Sequence, residues 1–211
     1  MLYDCRQLAE RDRGIAAAIE AVGRGDLIVM PTDTVYGIGA DAFKSWSVTA
    51  LNNAKGRTTP VPVLVGSRNT LDGLVFGLPP AARDLVDAFW PGGLTIIVEH
   101  ASSLQWDLGS TDGTVAVRMP LHPVALEVLR ETGPMAVSSA NKVDQPIPRT
   151  AEEARDQLGY SVSVYLDSSA LPEAPTSTIV DVTGDAVRVI RAGAISLDAI
   201  REVVPAVEMS D

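Results

Sequence analysis

The sequence is poor in the side chains that build disulfides, metal sites and base-stacking surfaces. It has one cysteine, Cys5, and two histidines, His100 and His122, in 211 residues. A single cysteine cannot form an intrachain disulfide or a cysteine-based zinc site, and two histidines this far apart do not indicate a metal cluster. Aromatic residues make up 5% of the chain, which is little for a surface that stacks nucleobases. We therefore predict that the protein holds no metal ion of its own.

Positive charge and long apolar runs are also scarce. Seventeen lysines and arginines stand against 27 aspartates and glutamates, a net charge of −10, which disfavours a protein whose whole surface grips nucleic acid. No stretch approaches the roughly twenty apolar residues that a bilayer-spanning helix needs. The charged stretch 1–14 lacks the apolar core of a signal peptide. We expect a soluble, cytoplasmic protein that does not bind membranes.

Hydrophobic residues are plentiful, at 46% of the chain, and a chain of this length can bury a core without disulfide or metal staples. Segments with helical spacing alternate with short apolar strands, which predicts a single α/β domain with a mixed sheet over residues 1–211, its core within about 10–200. One predicted strand, 61–65, contains Pro62, and a proline of this kind favours a position at the edge of the sheet.

Acidic residues are missing from three separate segments of this acidic chain. Residues 42–71, 113–126 and 186–197 contain no Asp or Glu, yet they carry lysines and arginines, including Arg118 and Arg191. If these segments converge in the fold, they form a cationic cavity in an otherwise anionic body. A polyanionic small ligand requires such a cavity. Chance clustering of charge is the alternative.

Small hydroxyl and amide side chains directly follow two predicted strands. Thr32 and Thr34 come after strand 27–30, and Ser-Ser-Ala-Asn occupies 138–141 at the end of strand 135–138. Ligands of α/β proteins usually bind at the carboxyl ends of strands. Gly37 and Gly39 let the backbone turn tightly or approach a ligand. The glycine spacing matches neither a P-loop nor a dinucleotide fingerprint, and hydroxyl-rich turns also serve as caps, so both interpretations stay open.

A third motif, Lys55-Gly56-Arg57, follows a predicted helix. Two cations that flank a glycine can grip phosphate groups while the backbone comes close. The alternative is a helix C-terminus with positive charge that is favourable there. The spacing does not decide between the two.

Seven blocks of the sequence, in this order, are similar to the YrdC-like family, and together they cover about residues 10 to 200. They are PTDTVYGIGADA (31–42), AKGR (54–57), FWPGGLTIIV (89–98), TVAVRMPLHP (114–123), VSSAN (137–141), STIVDV (177–182) and VIRAGAI (189–195). Seven blocks in register are far more specific than any one of them. Longer family members carry a further C-terminal domain, and this chain resembles the short, single-domain form.

The resemblance implies a fold and a reaction. The fold is a twisted open mixed β-sheet with flanking helices that encloses a cationic cavity. The reaction is synthesis of threonylcarbamoyl-AMP and pyrophosphate from L-threonine, bicarbonate and ATP, with Mg²⁺ carried by the nucleotide. A downstream tRNA-modifying transferase complex then uses the product. No protein nucleophile is needed, so catalysis would consist of positioning and charge neutralisation.

The resemblance also implies roles for the amino-acid substrate and the reacting groups. Thr34, Arg118 and Ser177 match family positions that contact L-threonine, with Arg118 as the partner of its carboxylate. Lys55 and Arg57 match the K-x-R pair that meets ATP phosphates and the carboxylated intermediate, which makes them candidate catalytic residues. Thr34 as a turn cap and Arg118 in a surface ion pair are the structural alternatives.

Five positions match the family's ATP contacts. They are Arg57, Thr114, Ser139, Asn141 and Arg191. Asn141 as a turn residue and Arg191 as a solvated edge residue are the structural alternatives.

The chain departs from the family pattern after Arg57. Only Thr58 and Thr59 separate that arginine from Pro60, so the segment is about two residues short and lacks a second basic group. Either nucleotide binding is altered in this member or a stretch is missing from the sequence. Two other functions of the same fold stay open. One is a non-enzymatic factor that binds RNA or the ribosome, and the other is a paralogue with different acyl-adenylate chemistry. For the enzyme itself, we expect any RNA binding to be weak.

Overall fold

The computed structural model describes residues 1–56, 60–171 and 175–210. The described residues form seven α-helices, which end in some cases at a glycine with positive φ, such as Gly56 after the second helix. Hydroxyl caps begin three of them: Ser67 accepts from the backbone N–H of Thr70, Thr150 from that of Glu153, and Ser196 from that of Ala199. The helices are α1 (Leu8–Arg24), α2 (Ser45–Lys55), α3 (Arg68–Leu74), α4 (Pro80–Phe89), α5 (Pro123–Thr132), α6 (Ala151–Leu158) and α7 (Leu197–Val203).

Within the described ranges, eleven strands form one mixed sheet in the order β1-β8-β2-β3-β7-β4-β6-β5-β9-β10-β11. The strands are β1 (Leu2–Asp4), β2 (Ile28–Met30), β3 (Gly37–Asp41), β4 (Val63–Leu64), β5 (Leu94–Glu99), β6 (Thr114–Arg118), β7 (Met135–Ser139), β8 (Val164–Asp167), β9 (Thr178–Asp181), β10 (Arg188–Arg191) and β11 (Glu208–Met209). Parallel and antiparallel pairs alternate irregularly, as in β4 with β6 (parallel) and β4 with β7 (antiparallel). The prediction of an α/β fold with an open mixed sheet and flanking helices is confirmed.

The sheet buries apolar side chains on both faces, because neighbouring residues of a strand point in opposite directions. In β2, Val29 belongs to the larger core cluster, together with residues of α2, α4, α6 and α7. Its neighbours Ile28 and Met30 belong to a second cluster that they share with α1 and α5. The second face is covered by these two helices at one end of the sheet, and further along it carries a cavity.

Two strands differ from the sequence-based expectation. β4 is an interior strand between β7 and β6, so the expectation that Pro62 marks a sheet edge is wrong. The proline instead precedes a strand of only two residues, and its carbonyl still accepts from the N–H of Val137. Gly37 and Gly39 lie within β3 rather than in a turn. A side chain at Gly37 would begin 2.7 Å from Cγ1 of Val137, so glycine makes room for a neighbouring strand.

No helix among residues 1–56, 60–171 and 175–210 combines the length and the apolar character that crossing a membrane requires.

Candidate functional site

A cavity of about 310 Å³ lies on the sheet face opposite the larger core cluster. Its walls come from nearly every block that carried the family resemblance. The lining residues are Thr32, Thr34, Val35, Gly37, Pro60, Pro62, Leu64, Thr95, Arg118, Val137, Ser138, Ser139, Thr176, Ser177, Ile179 and Arg191. Its volume falls in the range of about 300–1,000 Å³ that is usual for small-molecule sites.

Strand alternation aims most of the polar side chains into this cavity. In β6, Arg118 points to the cavity face, while Val115 and Val117 belong to the larger core. Arg191 in β10 needs a further device, because Val189, two residues earlier, is also in that core. A register shift between Val189 and Arg191 sets Val189 opposite Val180 but Arg191 opposite Ile179, a cavity residue. This bulge turns the Arg191 side chain to the cavity face.

The Arg118 guanidinium is buried and held at three nitrogens. Nε donates to the Gly92 carbonyl (2.9 Å), Nη1 to Thr34 Oγ1 (2.8 Å) and Nη2 to Asp33 Oδ1 (2.6 Å). Burial lowers the pKa of Arg118, and the charge of Asp33 opposes that shift. The partner that a buried arginine requires is therefore Asp33, from the loop after β2.

Thr32 and Thr34 divide two roles between them. Thr32 Oγ1 accepts from the N–H groups of Thr34 (3.2 Å) and Val35 (3.1 Å), so Thr32 is the residue that caps the turn. Thr34 Oγ1 instead accepts from Arg118 and lies 3.2 Å from Thr32 Oγ1. Both side chains line the cavity, and the turn-cap alternative applies to Thr32 rather than to Thr34.

Ser177 joins the strand pair β5–β9 to Arg191. Its Oγ lies 2.8 Å from Thr95 Oγ1 and accepts from Arg191 Nη2 (3.1 Å). Arg191 also donates to the Ser177 carbonyl from Nε (3.1 Å) and Nη2 (2.8 Å). The approach is close because Gly193 has no side chain: a Cβ there would lie 2.2 Å from the Thr176 carbonyl oxygen. Partial burial lowers the pKa of Arg191.

Lys55 lies behind the cavity wall at the end of α2. Its side chain is 2% exposed, and Nζ donates to the carbonyls of Ser139 and Asn141 (2.8 Å to the latter). Asn141 in turn donates from Nδ2 to the carbonyls of Lys142 and Gln145, and its buried Oδ1 has no partner among the described residues. Lys55 therefore holds the polar turn that follows β7, at the point where Ser139 enters the cavity.

Thr114 lies outside this cavity, in an adjoining one of about 350 Å³. The two cavities share Pro60, Pro62 and Ile179 as walls. Thr114 and Arg118 are on the same face of β6, four residues apart, so one extended ligand lying along that strand could reach both. The hydroxyl of Thr114 donates to the Thr111 carbonyl (2.7 Å).

The fold thus brings five predicted residues to one cavity: Thr34, Arg118, Ser139, Ser177 and Arg191. Thr114 is in the adjoining cavity, Lys55 and Asn141 contact the turn behind Ser139, and Arg57 lies outside the described residues. All these assignments of role stay predictions.

The acid-free segments converge in part. Each contributes to the wall, through Pro60, Pro62 and Leu64 from the first and Arg118 and Arg191 from the others. Lys44 and Arg68 instead form ion pairs with Asp41 and Asp87. A net cationic character of the cavity stays a prediction. Within the described part of the chain there is no group of three or more His, Cys, Asp or Glu that could hold a metal ion.

Sequence reasoning missed Asp33, Thr95 and Gly92. Asp33 stands inside the block that pointed to Thr34, but no spacing rule connects it with Arg118, which is 85 positions away. Thr95 is a polar residue in an apolar strand, and that is the one sequence signal that could have marked it. In the structure it is 3% exposed. Gly92 contributes only its backbone carbonyl. Since every residue type has one, the sequence carries no signal for this contact.

These features define an open-sheet α/β protein with a ligand cavity built from hydroxyl groups and two arginines. The family model Sua5/YciO/YrdC, described as "Telomere recombination", matches residues 20–193, and the chain belongs to this family. It is 57% identical over 203 residues to a Mycobacterium tuberculosis protein named "Putative threonylcarbamoyl-AMP synthase", with 95% of this chain and 94% of that protein covered.

Two further relatives are longer than this chain. The Bacillus subtilis threonylcarbamoyl-AMP synthase is 33% identical over 202 residues, which cover 94% of this chain and 58% of that protein. The crystal structure of Pyrococcus abyssi Sua5 complexed with L-threonine superposes with a TM-score of 0.93 at 29% identity, covering 100% of this chain and 62% of that one.

Proposed function

We propose that this chain is a nucleotidyltransferase that makes threonylcarbamoyl-AMP and pyrophosphate from L-threonine, bicarbonate and ATP. The observation that carries the proposal is the buried, three-point-held Arg118 in a cavity that it shares with Ser139, Ser177 and Arg191. A 57% identical relative carries the name of this activity, and a superposable relative was crystallised with L-threonine. Both observations support the same amino-acid substrate.

The proposed chemistry has two balanced steps. The neutral amine of threonine attacks bicarbonate, a C–N bond forms, and water leaves, which gives a carbamate. A carbamate oxygen then attacks the α-phosphorus of ATP, and the bond to the β-phosphate breaks with release of pyrophosphate. Every reactant carries negative charge at or near the reacting atoms. The protein therefore has to offset the repulsion between them and to align the carbamate oxygen with the α-phosphorus and the leaving pyrophosphate.

The polar groups of the two cavities suit this division of work. In the proposal, Thr34, Arg118 and Ser177 bind L-threonine, with Arg118 opposite its carboxylate. Ser139, Asn141 and Arg191 bind the phosphates, and Thr114 binds the nucleoside part in the adjoining cavity. Lys55 and Arg57 belong to the K-x-R pair that stabilises the charge of the transferring group. The buried position of Lys55 supports an indirect contribution through Ser139 and Asn141.

The proposal extends to the setting of the reaction. Mg²⁺ would arrive on the nucleotide as part of the substrate. The labile mixed anhydride would pass to a tRNA-modifying transferase complex that forms threonylcarbamoyladenosine, in the cytoplasm where ATP and tRNA meet. Weak RNA binding of the kind predicted above would serve that transfer.

The test incubates purified chain with ATP, Mg²⁺, labelled bicarbonate and L-threonine. We expect pyrophosphate release that depends on L-threonine, and label in a threonylcarbamoyl-adenylate. The matched control is Arg83→Ala, which removes an exposed arginine that lines neither cavity and is expected to leave turnover unchanged. No threonine-dependent pyrophosphate, alongside an active homologue, contradicts the proposal. Tight salt-dependent RNA binding without turnover indicates the RNA-binding alternative, and turnover of carbamoyl phosphate indicates the paralogue.

A further inference from the structure

Asp33 contacts two separate segments of the chain, and the proposed function gives it no role. Its Oδ1 accepts from Arg118 Nη2 (2.6 Å) and from the backbone N–H of Leu121 (2.8 Å). The second bond fixes the turn between β6 and α5. One carboxylate oxygen therefore joins the loop after β2, the end of β6 and the turn before α5. Asp33 itself is not among the residues that line the cavity.

The hydrogen bonds of Arg118 leave a defined set of donors. A guanidinium has five N–H groups: one on Nε and two on each Nη. One hydrogen each goes to Gly92, Thr34 and Asp33, so one hydrogen remains on each of Nη1 and Nη2. Two donors on the two terminal nitrogens of a guanidinium equal in number the two oxygens of a carboxylate. Since Arg118 lines the cavity, a ligand there meets a guanidinium that three hydrogen bonds already hold in place.

Asp33 is the only one of the three partners that can both orient the fork and balance its charge. Gly92 and Thr34 are neutral acceptors, and the Arg118 side chain is 7% exposed. Without Asp33, Gly92 and Thr34 would leave the charge of the buried guanidinium unbalanced, and neither hydrogen of Nη2 would have an acceptor among these three residues. The guanidinium could then rotate or withdraw toward solvent.

We propose that Asp33 is a positioning residue that presents the two remaining N–H groups of Arg118 to the α-carboxylate of the amino-acid substrate. It acts through Arg118 and does not contact the reacting atoms. The inference rests on the proposed function, since it takes L-threonine as the ligand. Its specific consequence is that Asp33 sets the preference for a free carboxylate, and it leaves nucleotide binding alone.

The experiment measures dissociation constants by calorimetry for L-threonine, for L-threoninamide, which lacks the carboxylate, and for ATP. The wild-type protein should prefer L-threonine over the amide. In Asp33→Ala this preference should fall by about tenfold or more, the loss of one charge-assisted hydrogen bond, with the ATP constant within about twofold of wild type. Asp87→Ala removes a carboxylate from the exposed pair with Arg68 and should change none of the three constants.

Two more variants keep the test decisive. Asp33→Asn keeps an acceptor for Arg118 and Leu121 but loses the charge, so its preference should lie between those of wild type and Asp33→Ala. It also carries the test if the alanine variant does not fold. Asp33→Glu, which restores the carboxylate, should recover part of the preference.

An unchanged preference in a folded variant overturns the inference and leaves the proposed function standing. Equal weakening of L-threonine, amide and ATP binding also overturns it, because that is the signature of a merely structural role. Failure of the wild-type protein to bind L-threonine at all defeats the proposed function, and the inference with it.

Discussion

The two arginines of the cavity are built in opposite ways. Arg118 is buried, and its charge is balanced by Asp33 before any ligand arrives. Arg191 is exposed, and the acceptors that the structure gives it are the carbonyl and hydroxyl oxygens of Ser177, with no ion pair to any described carboxylate. At one end of the cavity, three hydrogen bonds thus hold an arginine whose charge is balanced, and at the other end the arginine carries a charge still to be neutralised.

The two arginines should therefore bind anions for different reasons, Arg118 through hydrogen-bond geometry and Arg191 through charge. An anion at Arg118 meets a prepaired fork, so it gains mainly from hydrogen-bond geometry in a site of low dielectric. An anion at Arg191 meets an open positive charge, so it gains mainly from Coulomb attraction, which salt screens. We therefore expect the Arg118 end to determine which amino acid binds and the Arg191 end to attract the phosphates of ATP.

Removal of Arg118 should have the largest effect. Arg118→Ala leaves Asp33 with no charge partner in a mostly buried place, and breaking a buried pair costs about 3–5 kcal/mol of folding free energy. Urea unfolding of the variant measures this. Arg68→Ala is the matched control, because the Arg68–Asp87 pair is exposed and is worth about 0–1 kcal/mol. A loss for Arg118→Ala no greater than for the control would break the contrast between the two ends.

Removal of the Ser177 hydroxyl should come next. Ser177→Ala takes away the partner of Thr95 Oγ1, which is buried, and one of the acceptors of Arg191. An unsatisfied buried hydroxyl costs about 1–3 kcal/mol of folding free energy, again read from urea unfolding. The backbone bonds from Arg191 to the Ser177 carbonyl remain, so the double variant Thr95→Val with Ser177→Ala should recover part of the loss. No recovery would show that the hydroxyl pair is not the source.

Removal of the Arg191 charge should leave stability nearly unchanged and weaken nucleotide binding. We expect Arg191→Ala to raise the dissociation constant for ATP about tenfold, the usual size for one charge-assisted hydrogen bond, with L-threonine binding unaffected. Calorimetry over a series of salt concentrations gives the sharper measurement. The salt dependence of ATP binding should decrease in Arg191→Ala and persist in Arg191→Lys. Equal salt dependence in all three proteins would contradict the assignment of an open charge to this end.

Local sequence rules predict several strands of the sheet but miss one interior strand, β3. The strands β2, β4 and β7 are predicted because each is a short apolar run bounded by turn-forming residues. β3 was missed because Gly37 and Gly39 read as turn residues. In the structure those glycines give space to Val137 and Met135 of the neighbouring strand, a tertiary requirement that leaves no periodic signal in the segment itself.

The same limit applies to the site. The family blocks pointed to Arg118 and Arg191 by position, yet they said nothing about how either is held. The carboxylate that pairs with Arg118 comes from another loop, and the bulge that turns Arg191 toward the cavity is a register shift between two strands. Both depend on long-range pairing, which spacing within one segment cannot encode.

The smallest expected effect distinguishes the two ends by pH. His122 follows the turn that Asp33 holds, its Nδ1 is buried without a described partner, and burial lowers its pKa below the ordinary 6.5. Asp33 opposes this shift, and Arg11 adds to it. Below about pH 6.5 the unfolded chain therefore binds more protons at His122 than the folded one, so this group makes stability fall as the pH falls.

Urea unfolding at several pH values measures this effect. The urea midpoint of the wild-type protein should decline between about pH 7 and about pH 5.5, and that of His122→Asn should decline less. Ligand-free Arg191→Ala should follow the wild-type profile, since an arginine stays charged over this pH range and its Ser177 acceptors do not titrate. A decline of the same size in His122→Asn would assign the pH dependence to other groups and remove this distinction between the ends.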